Sequence, residues 1–499
     1  MELSSAFDTI MVDLTGGASI LWLSLIGIVV LVWDIFHNDA PLIPWVSAGA
    51  VLIALGYELF KVTEPSSTVF FSLIQTGGVA SFISVIILLS ALASVVLCAP
   101  YLKGIRRTYG EIYALMLFAT SGMILLGTAN NMVTIFVGLE TMSIALYILT
   151  GVVRSDEGAL ESALKYFLLG AFATGFFLYG IALMYGATGT MYFSEFAIGY
   201  STSDLRTLFW VGVALFLVGF MFKVGAVPFH MWTPDVYQGA PTPLTGFMAT
   251  ASKAAAFAAL ILVLYHGIGT LELGGANWQL ALAIIAVATV IIGNILALTQ
   301  DNVKRMLAYS SIAHAGYVLI ALAAGTSEAY AGAVYYLLIY ALMNIGAFGA
   351  MSLLEWDRKK GRLQTLDSLS GIGFKRPLVG ITMIIFMFSL TGFPPLGGFF
   401  GKLAVFAPAV NAGLTWLAII GVLASVFSGY YYLRVLYVFW MKSPSDADLA
   451  VQPDTFSTPL SSSTVLVTCA IVLLAIGLIP EVRDITLSFF AQESLLGLP

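Results

Sequence analysis

The sequence predicts an all-α polytopic membrane protein of about 14 transmembrane helices, with two inverted five-helix repeats and broken helices 7 and 12. Three observations predict it. Of 499 residues, 60% are hydrophobic and only 10% charged, whereas a soluble domain carries about a quarter charged residues. Apolar runs of ~20 residues, the length that crosses a bilayer, recur along the whole chain. Two of these runs are interrupted by proline at matching places. A soluble core stops growing near ~250–300 residues, so lipid is the solvent that accommodates this much apolar sequence.

Composition also sets aside several function classes. The net charge of −6 is small for the length, and no basic run suggests a nucleic-acid partner. Cys98 and Cys469 stand alone in apolar runs and form neither a metal-ligand pair nor a disulfide framework. The four histidines, His37, His230, His266 and His314, are too scattered to propose haem or zinc. Met1 to Gly17 carries Glu2, Asp8 and Asp13 with no basic stretch, which predicts neither a cleaved signal peptide nor a transit peptide.

The spans follow in order. Residues 1–110 hold spans one to three (17–36, 41–60 and 79–100). Residues 111–266 hold the first five-helix repeat (111–128, 131–153, 160–186, 206–227 and 241–266). Residues 277–440 hold the second, inverted repeat (277–299, 303–323, 328–354, 377–409 and 412–440). Residues 441–499 hold a last span, 459–480, and a short tail. Span seven breaks at Val227-Pro228-Phe229, and span twelve at Gly392-Phe393-Pro394-Pro395.

The repeat rests on three blocks in order. Lys165-Tyr-Phe-Leu-Leu-Gly, running to Gly180, aligns with Val334-Tyr-Tyr-Leu-Leu-Ile, running to Gly349. Phe220-Met-Phe-Lys before Pro228 aligns with Phe386-Met-Phe-Ser before Pro394, and Asn131 aligns with Asn302. The offsets agree at about 170 residues. Five spans separate the copies, an odd number, so the second is inverted in the membrane. Inverted repeats with paired broken helices are a transporter design with ion sites near the midplane.

Loops from odd to even spans hold Lys103, Arg106, Arg107, Arg154, Lys304, Arg305, Arg358, Lys359, Lys360, Arg362, Lys375, Arg376 and Lys442. The opposite loops hold only Lys61 and Arg206. The asymmetry predicts that the basic loops face the cytoplasm, or an organelle's matrix or stroma, with both termini on the other side.

Charges inside spans are rare, and each costs at least ~2.5–3.5 kcal/mol at the bilayer centre. Glu140, in Phe136-Val-Gly-Leu-Glu140-Thr-Met-Ser143, is the one acid deep in a span. Lys165, Lys223, Lys253 and Lys402 are the lysines within spans, and Arg434 lies late in span thirteen. Lys165 is near its helix start, where snorkelling to the interface competes with a buried role. Lys223 precedes the first break, Lys402 follows the second, and Lys253 is mid-helix. A carboxylate as isolated as Glu140 can also be merely structural.

The chemistry fits proton transfer. A buried lysine is driven towards its neutral form, and a nearby carboxylate restores the charged one. Glu140 beside Lys223 would make such a gate, a pairing that rests on chemistry and not on distance. Broken helices free backbone groups that bind water at mid-membrane depth. His230, in Pro228-Phe229-His230, either relays protons or bonds a freed carbonyl. His314 lies in a stripe with Ser310, Ser311 and Tyr317, which suits a hydrated channel or a packed, hydrogen-bonded core. His266 closes its helix and reads as interfacial.

These residues form a family pattern. Lys223-Val-Gly-Ala-Val-Pro-Phe-His-Met-Trp-Thr-Pro-Asp-Val-Tyr-Gln-Gly-Ala-Pro-Thr-Pro243 resembles a signature of the antiporter-like subunits of respiratory complex I. Asp301-Asn-Val-Lys-Arg-Met-Leu-Ala-Tyr-Ser-Ser-Ile-Ala-His-Ala-Gly-Tyr317 resembles the second signature. The likeness covers nearly the whole chain. Thr391-Gly-Phe-Pro-Pro-Leu-Gly-Gly-Phe-Phe-Gly-Lys402 is most similar to the N-type branch, since the M-type has glutamate at the last position. The L-type carries a lateral helix for which this sequence has no room.

The resemblance implies roles. Glu140 matches the family's glutamate on helix five and Lys223 the lysine on broken helix seven. Lys253 matches the lysine of the connecting path, and Lys402 the residue that leads to the far side. Lys165 matches a helix-six lysine of less settled role. It implies a proton-translocating subunit of an NADH:quinone oxidoreductase in a bacterial inner membrane, itself without cofactor. NADH, FMN, iron–sulfur clusters and quinone would belong to the whole complex. Its partners would be the other membrane subunits, especially related antiporter-like ones, and the lipid bilayer. The alternatives are a subunit of a multisubunit cation/proton antiporter, a ferredoxin- or hydrogenase-linked relative, and a scaffold that only tethers helices.

Overall fold

A computed structural model describes residues 10–37, 41–104, 109–271, 278–355, 364–446, 448, 452, 458–479 and 481. The predicted basic residues Arg106, Arg107, Arg358, Lys359, Lys360 and Arg362 lie outside the described residues, as do Glu2, Asp8 and the tail beyond 481.

Three helices come first: α1 (Ala18–Phe36), α2 (Ile43–Lys61) and α3 (Gly78–Gly104). The first repeat follows as α4 (Gly110–Gly127), α5 (Met132–Thr150), α6 (Glu157–Thr188), α7 (Arg206–Val224), the short α8 (Trp232–Gly239) and α9 (Thr242–Gly267). The second contains α10 (Trp278–Leu298), α11 (Val303–Ala324), α12 (Ser327–Leu354), α13 (Pro377–Thr391), α14 (Gly397–Asn411) and α15 (Thr415–Trp440). Helix α16 (Leu460–Leu478) closes the described bundle. Thirteen helices among the described residues are long and apolar enough to cross a membrane. The remaining predicted span, the twelfth, is the pair α13 and α14, two 15-residue halves on either side of its break.

Consecutive helices pack as hairpins, α4 on α5, α6 on α7 and α10 on α11. Helices α9, α11 and α12 are almost wholly enclosed, whereas α1 and α6 present most of their surface outward. Hydrophobic burial does not drive helices together in lipid, so close packing and interhelical hydrogen bonds hold the bundle. Gly122 of α4 and Gly138 of α5 show the packing. A Cβ on Gly122 would sit 2.7 Å from the Met142 nitrogen, and one on Gly138 would sit 2.6 Å from the Leu126 nitrogen.

The repeat copies match in local chemistry. Asn131 caps α5 by accepting from the Val133 N–H at 2.8 Å, and Asn302 caps α11 by accepting from the Arg305 N–H at 3.1 Å. Both asparagines also form an isolated bridge, to Tyr192 and to Thr365. Both breaks begin with a left-handed glycine, Gly225 at φ 73° and Gly392 at φ 84°, a conformation that a side chain resists. After each glycine the chain turns back the same way. The Ala226 N–H reaches the Met221 carbonyl at 2.8 Å and the Phe393 N–H the Phe388 carbonyl at 3.0 Å. Cis peptide bonds follow at Val227–Pro228 and Pro394–Pro395.

A small antiparallel hairpin, β1 (Ser67–Val69) and β2 (Ile74–Thr76), pairs Ser67 with Thr76 and covers the end of α4. At the opposite end, which carries the basic loops, Lys304 and Glu355 form a buried ion pair at 3.6 Å. Glu355 also accepts from Gln364 at 2.7 Å, from Tyr101 at 3.1 Å and from Thr242. That node joins α3, α9, α11 and α12. Reading acids by their place along a helix misses it, because a helix end can be buried. Glu58, at the end of α2, is another such case. It is buried and accepts from Ser19 at 2.6 Å.

Candidate functional site

The last turn of α7 carries Lys223 into the bundle, where it is 3% exposed. Its ammonium donates to Ser143 Oγ of α5 at 2.9 Å and to the Tyr166 hydroxyl of α6 at 3.5 Å. Tyr166 in turn stacks on Trp232 of α8, with ring centroids 4.5 Å apart and planes 8° apart. The Trp232 indole donates to the Phe222 carbonyl at 2.9 Å, taking a group that the end of α7 leaves open. At the first break, then, an aromatic side chain satisfies the backbone, and the lysine is left to side-chain hydroxyls.

Lys253 lies midway along α9 and is 1% exposed. The π-helical turn Met248–Ser252 immediately precedes it, an irregularity frequent at functional sites. Its ammonium donates to Ser311 of α11, to the carbonyl at 2.7 Å and to Oγ at 2.5 Å. The Tyr340 hydroxyl of α12 donates to the same Oγ at 2.7 Å. Beyond Ser311 on α11 comes His314, bonded through both ring nitrogens to tyrosines.

Lys402 stands on α14, beyond the second break, and is 5% exposed. It reaches back to the open end of α13, donating to the Leu390 carbonyl at 2.8 Å and the Thr391 carbonyl at 2.9 Å. Ser425 Oγ of α15 is its third acceptor, at 2.7 Å. The ammonium also lies 5.1 Å from the centre of the Tyr317 ring. A cation at a helix C-terminus meets the negative end of the backbone dipoles as well as their lone pairs. Ser389 occupies the repeat position that matches Lys223, and its Oγ accepts from the Gly398 N–H of α14 at 3.0 Å.

Lys223, Lys253 and Lys402 are thus enclosed in one bundle, whereas two other predicted residues stand apart from them. Glu140 is half-buried on the outer face of α5, near the exposed Val137 and Ile144. Its carboxylate accepts from Thr174 Oγ1 at 2.8 Å and makes no direct ion pair with Lys223. Between Lys223 and Thr174, the residue bonded to Glu140, lies a cavity with room for about one water, lined also by Ser143 and Phe177. Lys165, half-exposed, pairs with Glu161 and with Asp235 of α8, both at 2.8 Å. Asp235 also takes Arg305 at 2.7 Å. Lys165 therefore belongs to a charged patch at the basic end.

His230 is half-buried beyond the first break and makes no hydrogen bond to the lysines. His266 is half-buried at the end of α9. Arg434 bonds Asp301 and the Leu298 carbonyl near the basic end. The hydroxyls that hold the lysines, Ser143, Tyr166 and Ser425, are absent from the sequence-based set. Ser143 had one signal, its place one turn from Glu140. Ser425 and Tyr166 had none, since serines and tyrosines are common throughout the spans.

Comparisons with known proteins agree with this architecture. A family model described as NADH:quinone oxidoreductase/Mrp antiporter, TM, matches residues 129–428. The NADH-quinone oxidoreductase subunit N of Salinibacter ruber is 58% identical over 504 residues, covering 100% of both chains. The subunit N 1 of Chloroherpeton thalassium is 46% identical, covering 87% of this chain and 88% of that one. A chain of the respiratory complex I of Thermus thermophilus, solved with bound aureothin, superposes with a TM-score of 0.78 at 35% identity, covering 93% of this chain and 97% of its own. A chain of an archaeal membrane-bound sulfane sulfur reductase shares the fold, with a TM-score of 0.85 at 24% identity over 97% of this chain and 98% of that one. With two buried lysine-bearing breaks and a full-length match to such relatives, the chain belongs to the NADH:quinone oxidoreductase/Mrp antiporter transmembrane family.

Proposed function

We propose that this chain is the proton-translocating N-type membrane subunit of an NADH:quinone oxidoreductase. The observation that carries the reading is the set of enclosed lysines, Lys223, Lys253 and Lys402, each held by hydroxyls or carbonyls with no carboxylate bonded to it. A lysine without a fixed counter-ion can release its proton. Glu140 supplies the adjustable charge. It acts on Lys223 across the water-sized cavity, where a water bonded to Ser143 or Thr174 links the two. Redox energy from elsewhere in the complex would change the setting of Glu140, and the proton would pass from Lys223 by way of Lys253 to Lys402. Lys165 would serve at the basic end together with Asp235, and His230 would lie beside the path.

In this reading the basic loops face the cytoplasm and both termini lie on the other side of a bacterial inner membrane. The chain divides at 1–110, 111–266, 277–440 and 441–499, and its partners are neighbouring antiporter-like subunits. NADH, flavin, iron–sulfur clusters and quinone are handled by other subunits. The donor set here does not fit a cluster, which takes four cysteines, whereas this chain has two, in separate helices.

The scaffold reading required these lysines to lie at the lipid edge, and they are enclosed. The antiporter reading shares the motifs, but 58% identity along the full length of a subunit N favours the oxidoreductase. The test is Lys223→Ala and Glu140→Gln in the assembled complex, reconstituted in vesicles. Quinone-linked pumping should fall sharply in both. Normal pumping in either overturns the reading, and sodium-dependent transport without a quinone reductase would move it to the antiporters.

A further inference from the structure

Helix α8 is wedged between α6 of the first repeat and α11 of the second. On one side the Ser162 hydroxyl of α6 donates to the Asp235 carbonyl at 2.9 Å, and Lys165 donates to Asp235 Oδ2 at 2.8 Å. On the other side Arg305 of α11 donates to Asp235 Oδ1 at 2.7 Å and to Gln238 Oε1 at 3.1 Å. The neighbouring Lys304 donates to the Ala240 carbonyl, at the C-terminal cap of α8, at 2.8 Å. One carboxylate thus joins α6, α8 and α11.

The two cations of α11 stand where a helix tolerates them least. Lys304 and Arg305 lie in its first turn, at the positive end of the backbone dipoles. Lys304 is also 1% exposed. The stability of α11 does not account for this placement, and what the cations touch does. They meet Asp235 and the C-terminal end of α8, which is negative. With Asn131 and Asn302 aligned, the first repeat has Val133 and Thr134 at the matching places. The clamp therefore follows from one copy's sequence and not from the fold that both share.

Helix α8 leads directly to the first buried lysine. Trp232, one turn before Asp235, stacks on Tyr166 and bonds the Phe222 carbonyl. The Tyr166 hydroxyl is an acceptor of Lys223. Tyr166 follows Lys165 on α6, so Asp235 is tied to both partners of the stack, to one through α8 and to the other through Lys165. We infer that Arg305, with Lys304 beside it, is a positioning residue for Lys223, clamping α8 so that the Trp232–Tyr166 stack presents its hydroxyl to the ammonium. The same helix carries Ser311, the acceptor of Lys253. A helix of the second repeat thus sets the surroundings of two lysines in the first. The inference rests on the translocation reading above.

Arg305 and Asp235 are both partly exposed. An ion pair of that kind adds little to stability, so its loss is read in pumping and not in folding. The experiment uses the assembled complex in vesicles and measures protons pumped per electron beside the quinone reduction rate. Arg305→Gln removes the clamping charge, and Tyr166→Phe removes the hydroxyl that the clamp places. Each should lower pumped protons per electron about fivefold to tenfold, as for the loss of one hydrogen bond to an ammonium. The double variant should fall no further than Tyr166→Phe alone, because both changes act at one bond. Arg305→Lys keeps a charged bond to Asp235 and should recover most of the pumping.

Wild-type pumping in Arg305→Gln overturns the clamp. So does a double variant whose losses multiply, or an Arg305→Lys that pumps no better than Arg305→Gln. Asp235→Asn releases Arg305 from the other side and gives the same comparison with Tyr166→Phe should Arg305→Gln not assemble. Lys223→Ala separates the two ideas. If it pumps normally the translocation reading itself fails, and if it is dead while Arg305→Gln pumps normally only the clamp fails.

Discussion

The two breaks start from the same turn and end in different chemistry. At the first, the indole of Trp232 takes the Phe222 carbonyl, and Lys223 rests on Ser143 and Tyr166. At the second, Lys402 itself takes the Leu390 and Thr391 carbonyls, with Ser425 as a third acceptor. Lys223 is held by side chains that can rotate, beside a water-sized cavity whose far wall, Thr174, bonds Glu140. Lys402 is held mainly by backbone that cannot rotate, the Leu390 and Thr391 carbonyls, with Ser425 as a side-chain acceptor. The same fold element thus serves one lysine held by side chains and one held mostly by backbone.

Substitutions can break or sharpen this contrast. The largest effect is expected for Lys223→Ala, a loss of pumping of tenfold or more in the assembled complex. Next comes Ser143→Ala. Losing a buried bond to an ammonium is worth about 1.5–3 kcal/mol when the ammonium is charged, so pumping should fall by roughly ten- to a hundredfold. Ser425→Ala leaves two carbonyls on Lys402 and should change pumping by about twofold at most. Equal losses in the two serine variants, measured side by side in vesicles, would erase the distinction between the breaks.

Trp232→Phe should destabilise the chain by about 1–3 kcal/mol by stranding the Phe222 carbonyl, seen as a lower thermal midpoint of the purified complex. An unchanged midpoint would mean that water replaces the indole. The smallest effects separate the two glycines. Alanine at either left-handed position costs about 1–2 kcal/mol in backbone strain. A Cβ on Gly392 would also sit 2.9 Å from Lys402 Cδ, whereas one on Gly225 would meet Thr233 Oγ1 at 2.8 Å. Gly392→Ala should therefore lower pumping as well as stability, and Gly225→Ala should lower stability alone.

Much of this arrangement was legible in the sequence because lipid punishes charge. Lys223, Lys253 and Lys402 stood out against apolar spans, and all three are enclosed. The breaks were legible because proline interrupts a helix whatever surrounds it. Lys165 was harder. Its position on α6 allowed a buried role, and its partner Asp235 comes from a distant segment that only the fold brings near. Glu140 was found by its charge, but linear position does not say which face of α5 it occupies. The ligands of Lys402 were the least legible, because two of the three are carbonyls, which every residue carries.

That last fact bears on how the protein can change over time. A lysine bonded to Ser143 depends on one codon remaining a hydroxyl residue. A lysine bonded to the Leu390 and Thr391 carbonyls depends only on the path of the chain. Side chains at 390 and 391 can drift, within the limits of packing, and Lys402 keeps its acceptors as long as the turn at Gly392 survives.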